Sequence, residues 1–252
     1  MAGESVSIFN ASGMEIYRFD YDATIGIISD VAVMSNGQLA MLASKGPLTQ
    51  LVRCNFRAEP LGVISLSGMP PELVNFSPNR VYAQAGKLYL VSYSNMQVVI
   101  VDEQGVFVKG HDFARELGMS EKERDESGLG GFALDRDGGF LFTIPATAKA
   151  YLFTADGTQR VFGRRGSAPG RFGVVTGIAT DKAGNILVVD KLRCVVMIFE
   201  RSNFGFLKEF GNRGTKPGNL IGPDDILVDS QNRAYVSALR KQGISVYQLS
   251  QE

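Results

Sequence analysis

The 252-residue sequence holds no tryptophan, a single histidine and only two cysteines. Each scarcity closes off some chemistry. One histidine, His111, excludes zinc centres built from several imidazoles. A Ser-His-Asp triad would have to be centred on His111, and no G-x-S-x-G nucleophile elbow is present. His111 itself reads as a partly exposed residue of an outer strand. Cys54 and Cys194 stand far apart without metal-ligand spacing and read as small buried hydrophobes. No run of 18 apolar residues occurs, so no membrane-spanning helix is encoded. Basic and acidic residues number 26 each, so bulk charge argues for neither nucleic acid nor an anionic membrane. The polar start, MAGESVSIF, does not read as a signal peptide. It is compatible with a mature N-terminus left by signal removal, which would make the protein periplasmic or secreted.

Glycine is abundant, with 29 residues, and one glycine-rich stretch comes twice. Residues 162–172 read FGRRGSAPGRF and residues 210–220 read FGNRGTKPGNL. Three glycines and a proline make this a loop. What surrounds each copy also repeats. GVVTGIATDKAGNILVVD and GPDDILVDSQNRAYVSA each give two short apolar runs around a tight turn, the pattern of a β-hairpin. Weaker copies are VAVMSNGQLAMLA, RVYAQAGKLYLVS and FALDRDGGFLFTI. Their turn residues, Gly37, Gly86, Gly138, Gly184 and Asn232, should need positive φ. A third strand follows each hairpin, and a fourth follows most.

A four-stranded unit recurring roughly every 45 residues predicts an all-β protein, a β-propeller of antiparallel blades, as one domain over 1–252. Five inner strands against six third strands favour five blades over six. The N-terminal strands, SVSIF and EIYRF, are expected to complete the C-terminal blade and close the ring. The interval 114–129 has helix formers and alternating charge, and predicts a short surface helix between blades.

PGRFGVVTGIATDKAGNILVVDKLRCVVMIFERSNFGFLKEFG resembles an NHL repeat, matching at Pro169, Gly170, Phe172, Asp181, Gly184, Asn185, Asp190 and Phe199. The next copy matches at Pro217, Gly218, Leu220, Asp229 and Asn232, but has Ser237–Ala238 where the family has Ala-Asp. The resemblance is strong over about 90 residues and weak elsewhere. It implies a propeller that usually serves as a binding platform; relatives of similar shape include amidating lyases, lactonases and RNA-binding members. The lone histidine removes the amidating-lyase option.

Charge is unevenly placed. Residues 1–126 carry 10 basic and 15 acidic side chains, and residues 127–252 carry 16 and 11. The blade-to-blade loops hold Arg164, Arg165, Arg171, Arg213 and Lys216. The loops between second and third strands hold Lys149, Lys191, Arg193, Arg240 and Lys241. All ten should share one face, with Asp190, Asp224 and Asp225 the acids among them, whereas the turns of the other face are mixed in sign. One-sided basic clustering favours an anionic partner, and arginine suits bidentate binding of carboxylate or phosphate. The expected function is therefore non-enzymatic: a scaffold binding a protein or other anionic partner through this face. Nucleic acid is not the expected partner, since Phe162 and Phe172 are better used packing between blades. No cofactor is expected.

The alternative is a lactonase-like hydrolase with a divalent cation such as calcium at the channel mouth. Its best ligands are Asp224 and Asp225, ahead of Asp30, Asn75 and Asn79. Otherwise that pair serves as turn acids facing Arg213 or Lys216.

Overall fold

The structure is a computed structural model that describes residues 5–21, 25–46, 48–73, 76–238 and 243–250. It is an all-β protein with the five blades of a β-propeller, set in two compact units, Met1–Glu121 and Lys122–Glu252.

The first unit holds a two-stranded ribbon and two blades. The ribbon pairs β1 (Ser5–Phe9) with β2 (Glu15–Asp20). Blade one is β3 (Ile27–Val33), β4 (Leu39–Lys45), β5 (Leu48–Cys54) and β6 (Pro60–Val63) in that order. Blade two is β7 (Arg80–Gln84), β8 (Lys87–Ser92), β9 (Gln97–Asp102) and β10 (Phe107–Asp112). Leu42 and Leu51 of blade one meet Val81, Leu90 and Val99 of blade two in one buried cluster. The opposite face of blade one, with Met41, Val52 and Cys54, is covered by Val6 and Phe19 of the ribbon and by Tyr21. The ribbon thus covers blade one as a preceding blade would. Its two strands pair with each other.

The predicted surface helix is two short ones. In α1 (Phe113–Glu116), Phe113 and Ala114 are buried, and Asp112 caps it by accepting from Arg115 N at 3.0 Å. In α2 (Glu121–Asp125) nothing is buried.

The second unit holds three blades. Blade three is β11 (Gly131–Leu134), β12 (Phe140–Ile144), β13 (Lys149–Phe153) and β14 (Gln159–Phe162). Blade four is β15 (Val175–Thr180), β16 (Ile186–Asp190), β17 (Val195–Phe199) and β18 (Phe206–Phe210). Blade five shows three strands among the described residues, β19 (Pro223–Val228), β20 (Arg233–Ala238) and β21 (Ile244–Gln248).

The sequence pattern explains why the middle strands are runs of apolar residues rather than alternations. ILVVD and VVMIF are buried at every position because blade four has a blade against each face. Met197 and Phe199 face Leu141, Leu152 and Phe162 of blade three, while Val196 and Ile198 face Ile226 and Val236 of blade five. Inner strands approach closely where side chains are absent. A methyl group on Gly177 would lie 2.7 Å from the Cα of Asp225, and one on Gly131 would lie 2.5 Å from the Thr176 carbonyl oxygen. The five turn residues singled out above all have positive φ, from 61° at Asn232 to 92° at Gly184.

Candidate binding face

The two glycine-rich loops fold alike. Gly163, Gly166 and Gly170 have φ of 95°, 158° and 73°, and Gly211, Gly214 and Gly218 have 86°, 154° and 81°. In the first copy Phe172 N donates to Arg164 O, and Gly166 N to Phe172 O, both at 3.0 Å. In the second, Leu220 N donates to Asn212 O at 2.8 Å and Gly214 N to Leu220 O at 3.2 Å. Each loop is therefore pinned to the apolar residue at its end, and Phe172 and Leu220 are both fully buried. A Cβ at Gly163 would lie 2.1 Å from the Phe172 ring, so the close approach itself demands glycine. Phe162 and Phe172 pack edge-to-face at 6.1 Å, inside the blades as expected.

The arginine that both copies share has a structural job. Arg165 Nη2 donates to the Ala146 carbonyl at 2.9 Å, and Arg213 Nη2 to the Leu192 carbonyl at 2.6 Å. Each acceptor lies between the second and third strands of the same blade. The guanidinium thus ties the two loops of one blade together, a use that sequence reasoning missed. A signal was present: Arg165 and Arg213 occupy the same repeat position, while their neighbours Arg164 and Asn212 differ.

Arg193 is also committed internally. It is only 17% exposed, and Nη2 meets Glu209 Oε1 at 2.8 Å while Nη1 donates to the Arg171 carbonyl at 3.1 Å. Lys191 Nζ meets Asp224 Oδ1 at 2.7 Å. Asp224 therefore faces Lys191 rather than Arg213 or Lys216. Asp225 accepts from Ile226 N at 2.9 Å, and its own N–H donates to Ser237 Oγ at 3.2 Å. A bulge at the start of β19 separates the two acids, since Pro223 pairs with Ala238 but Asp225 with Ser237. They are the residues here that could ligate a cation, with one Asp224 oxygen held by Lys191. Of the lesser candidates, Asp30 accepts from Val81 N at 2.9 Å and Asn79 from Tyr93 N at 3.0 Å.

Arg164 and Lys216 are exposed and Arg171 half-buried, and the side chains of all three lack a partner among the described residues. Arg240, Lys241 and Asn75 lie outside the described residues. Lys149, at the start of β13, is exposed.

Asp190 organises this face. Its side chain is fully buried at the end of β16. Oδ2 accepts from Gly173 N at 2.6 Å. Oδ1 accepts from Val174 N at 3.2 Å and from Leu192 N and Arg193 N at 3.0 Å. One carboxylate thus holds both the end of the glycine-rich loop and the next turn. The turns of the opposite face are tied differently: Arg201 forks onto buried Asp135 and reaches Asp137 at 3.2 Å, joining blades four and three.

No family model matches the chain, and no curated protein matches it. Solved structures do share its fold. A protein of unknown function from Bacteroides caccae matches with a TM-score of 0.66 at 12% identity, over 96% of this chain and 83% of its own. Virginiamycin B lyase from Staphylococcus aureus matches at 0.60 and 13% identity, over 99% and 79%. The WD40 β-propeller domain of Doa1 matches at 0.56 and 14% identity, over 95% and 82%. These likenesses carry the β-propeller fold.

Proposed function

We propose that this protein is an NHL-like propeller that binds a protein or other anionic partner through the loop face of blades three to five, without performing catalysis. The observation that carries this reading is the division of labour among its cations. Arg165, Arg193 and Arg213 brace the loops on backbone carbonyls, while Arg164, Arg171 and Lys216 carry charge with no side-chain partner among the described residues. Braced loops that present uncommitted cations lose little conformational freedom on binding. The NHL likeness supports the same reading through residues that shape the blade. Asp181 holds its turn by accepting from Asn185 N at 2.8 Å and Asn185 Nδ2 at 2.9 Å. The hydrolase alternative draws on Asp224 and Asp225; the ammonium of Lys191 on Asp224 favours the binding reading.

The test is a charge reversal that spares the braces. Arg164→Glu with Lys216→Glu should abolish capture of the partner from a host extract and leave the melting temperature unchanged. Capture by the wild-type protein should weaken as salt rises. Undiminished capture by the reversed variant, or capture indifferent to salt, would overturn the proposal.

A further inference from the structure

Blade five differs from its neighbours at its outer edge. Blades three and four end in a fourth strand, whereas β21 pairs only with β20 among the described residues. Beside that edge runs a groove of about 500 Å³ between β21 and the outer strand of blade four, with Ile198, Leu207, Phe210, Tyr247 and Leu249 as its apolar lining and polar groups, among them Asp181, Lys208 and Glu209, around them. Its floor is continuous with the packed interface of blades four and five, to which Ile198, Phe210, Tyr247 and Leu249 belong.

The repeat shows what fills the matching place one blade earlier. Phe199 pairs with Ile186 and packs on Phe162 at 5.3 Å; Tyr247 pairs with Ala234 and packs on Phe210 at 4.7 Å. The two aromatics are equivalent. In blade four, Phe206 of the fourth strand pairs with Phe199, and its side chain lies directly against Gly170, where a Cβ would come within 2.9 Å. At the equivalent Gly218 a Cβ would meet nothing within 4 Å, and the Tyr247 hydroxyl donates to its carbonyl at 3.1 Å. A strand edge, a groove with an apolar floor and a position over a loop glycine that no side chain fills therefore coincide where a fourth strand with an aromatic residue would lie.

We propose that this edge is a docking site for an extended segment of a partner protein. The segment pairs antiparallel with β21 and seats an aromatic side chain opposite Tyr247, over Gly218. Main-chain pairing supplies affinity, and the aromatic pocket supplies selectivity. This surface is separate from the basic loop face, and its partner is chosen by main-chain pairing and by the fit of its aromatic side chain.

The probe is a labelled synthetic octapeptide, NFGFLKEF, which copies residues 203–210. Mixed with the full chain, it should bind saturably by fluorescence anisotropy and slow amide exchange at residues 244–248. Replacing its second phenylalanine, the Phe206 equivalent, with alanine should weaken binding at least about tenfold. N-methylation of the main-chain amides that face β21 should abolish it. The proposal is overturned if no binding occurs, if either altered peptide binds equally well, or if protection falls on residues 195–199, which would mean exchange with the chain's own β18. It is also overturned if the chain alone forms dimers that bury β21.

Discussion

Asp190→Ala removes an acceptor shared by four backbone amides. The Gly173 amide is buried, and the other three lie in partly exposed turns. Leaving a buried donor unsatisfied costs about 1–3 kcal/mol, and water can satisfy the exposed ones in part. The expected total is about 3–5 kcal/mol. With a urea dependence of about 2–3 kcal/mol per molar, the unfolding midpoint should fall by about 1–2 M. Asp190→Asn should cost roughly half as much. Its oxygen can keep the three bonds now made to Oδ1, but its NH2 would then face the Gly173 N–H. Urea unfolding of the three proteins gives the ranking, and amide exchange gives the location. Gly173, Val174, Leu192 and Arg193 should exchange faster in the alanine variant, while the turn at Asp181 should not change. A midpoint shift under about 0.3 M with unchanged exchange at those amides would refute the assignment of Asp190 as the hub of this face.

Other outcomes follow from the same contacts. Arg213→Ala should cost only about 1 kcal/mol, because the residue is exposed, yet it should raise exchange in residues 191–194 and 212–216 together, checked by hydrogen exchange. Gly163→Ala should be far more damaging, because the new methyl would strike the Phe172 ring and the backbone φ is 95°; thermal melting checks this. Asp30 is held above the usual carboxylate range by burial, against the opposing Val81 N–H and Arg80 charge. Its raised folded pKa means that ionising it above that value costs stability, so Asp30→Asn should melt at or above the wild-type temperature at pH 8, and the gain should shrink as pH falls toward 4. His111 is held below its ordinary 6.5 by burial, with the Glu116 charge opposing. Protonation therefore favours the unfolded chain, and stability should fall as pH drops below about 6.5. His111→Gln should flatten that dependence in melts between pH 5 and 8.

Much of the fold was legible because a blade is short and its signals are local. Positive φ at Gly37, Gly86, Gly138, Gly184 and Asn232 follows from what each tight turn requires of a residue. The uninterrupted apolar runs of β16 and β17 announced burial on both faces. Burial of Phe162 and Phe172 likewise followed from their place at the ends of the repeated loop. The candidate face was legible in its composition but not in its wiring. Lys191, Arg165 and Arg213 look like surface cations in sequence, and only the folded chain brings an aspartate or a carbonyl to each tip. Asp190 marked itself as a blade residue, but a carboxylate that serves amides of two loops is a tertiary fact.

The matching φ values of the two glycine-rich loops have a practical reading. Backbone shape there is set by the phenylalanine, glycines and proline that both copies keep, so residues 164, 167, 168 and 171 in one copy and 212, 215, 216 and 219 in the other behave as interchangeable inserts in a fixed frame. Moving Arg164 and Arg171 onto positions 212 and 219, with Lys216 replaced by alanine, would print the charge pattern of one blade on the next without redrawing either chain path, and a duplicated blade could gain a new specificity by changing four letters while its scaffold stayed untouched.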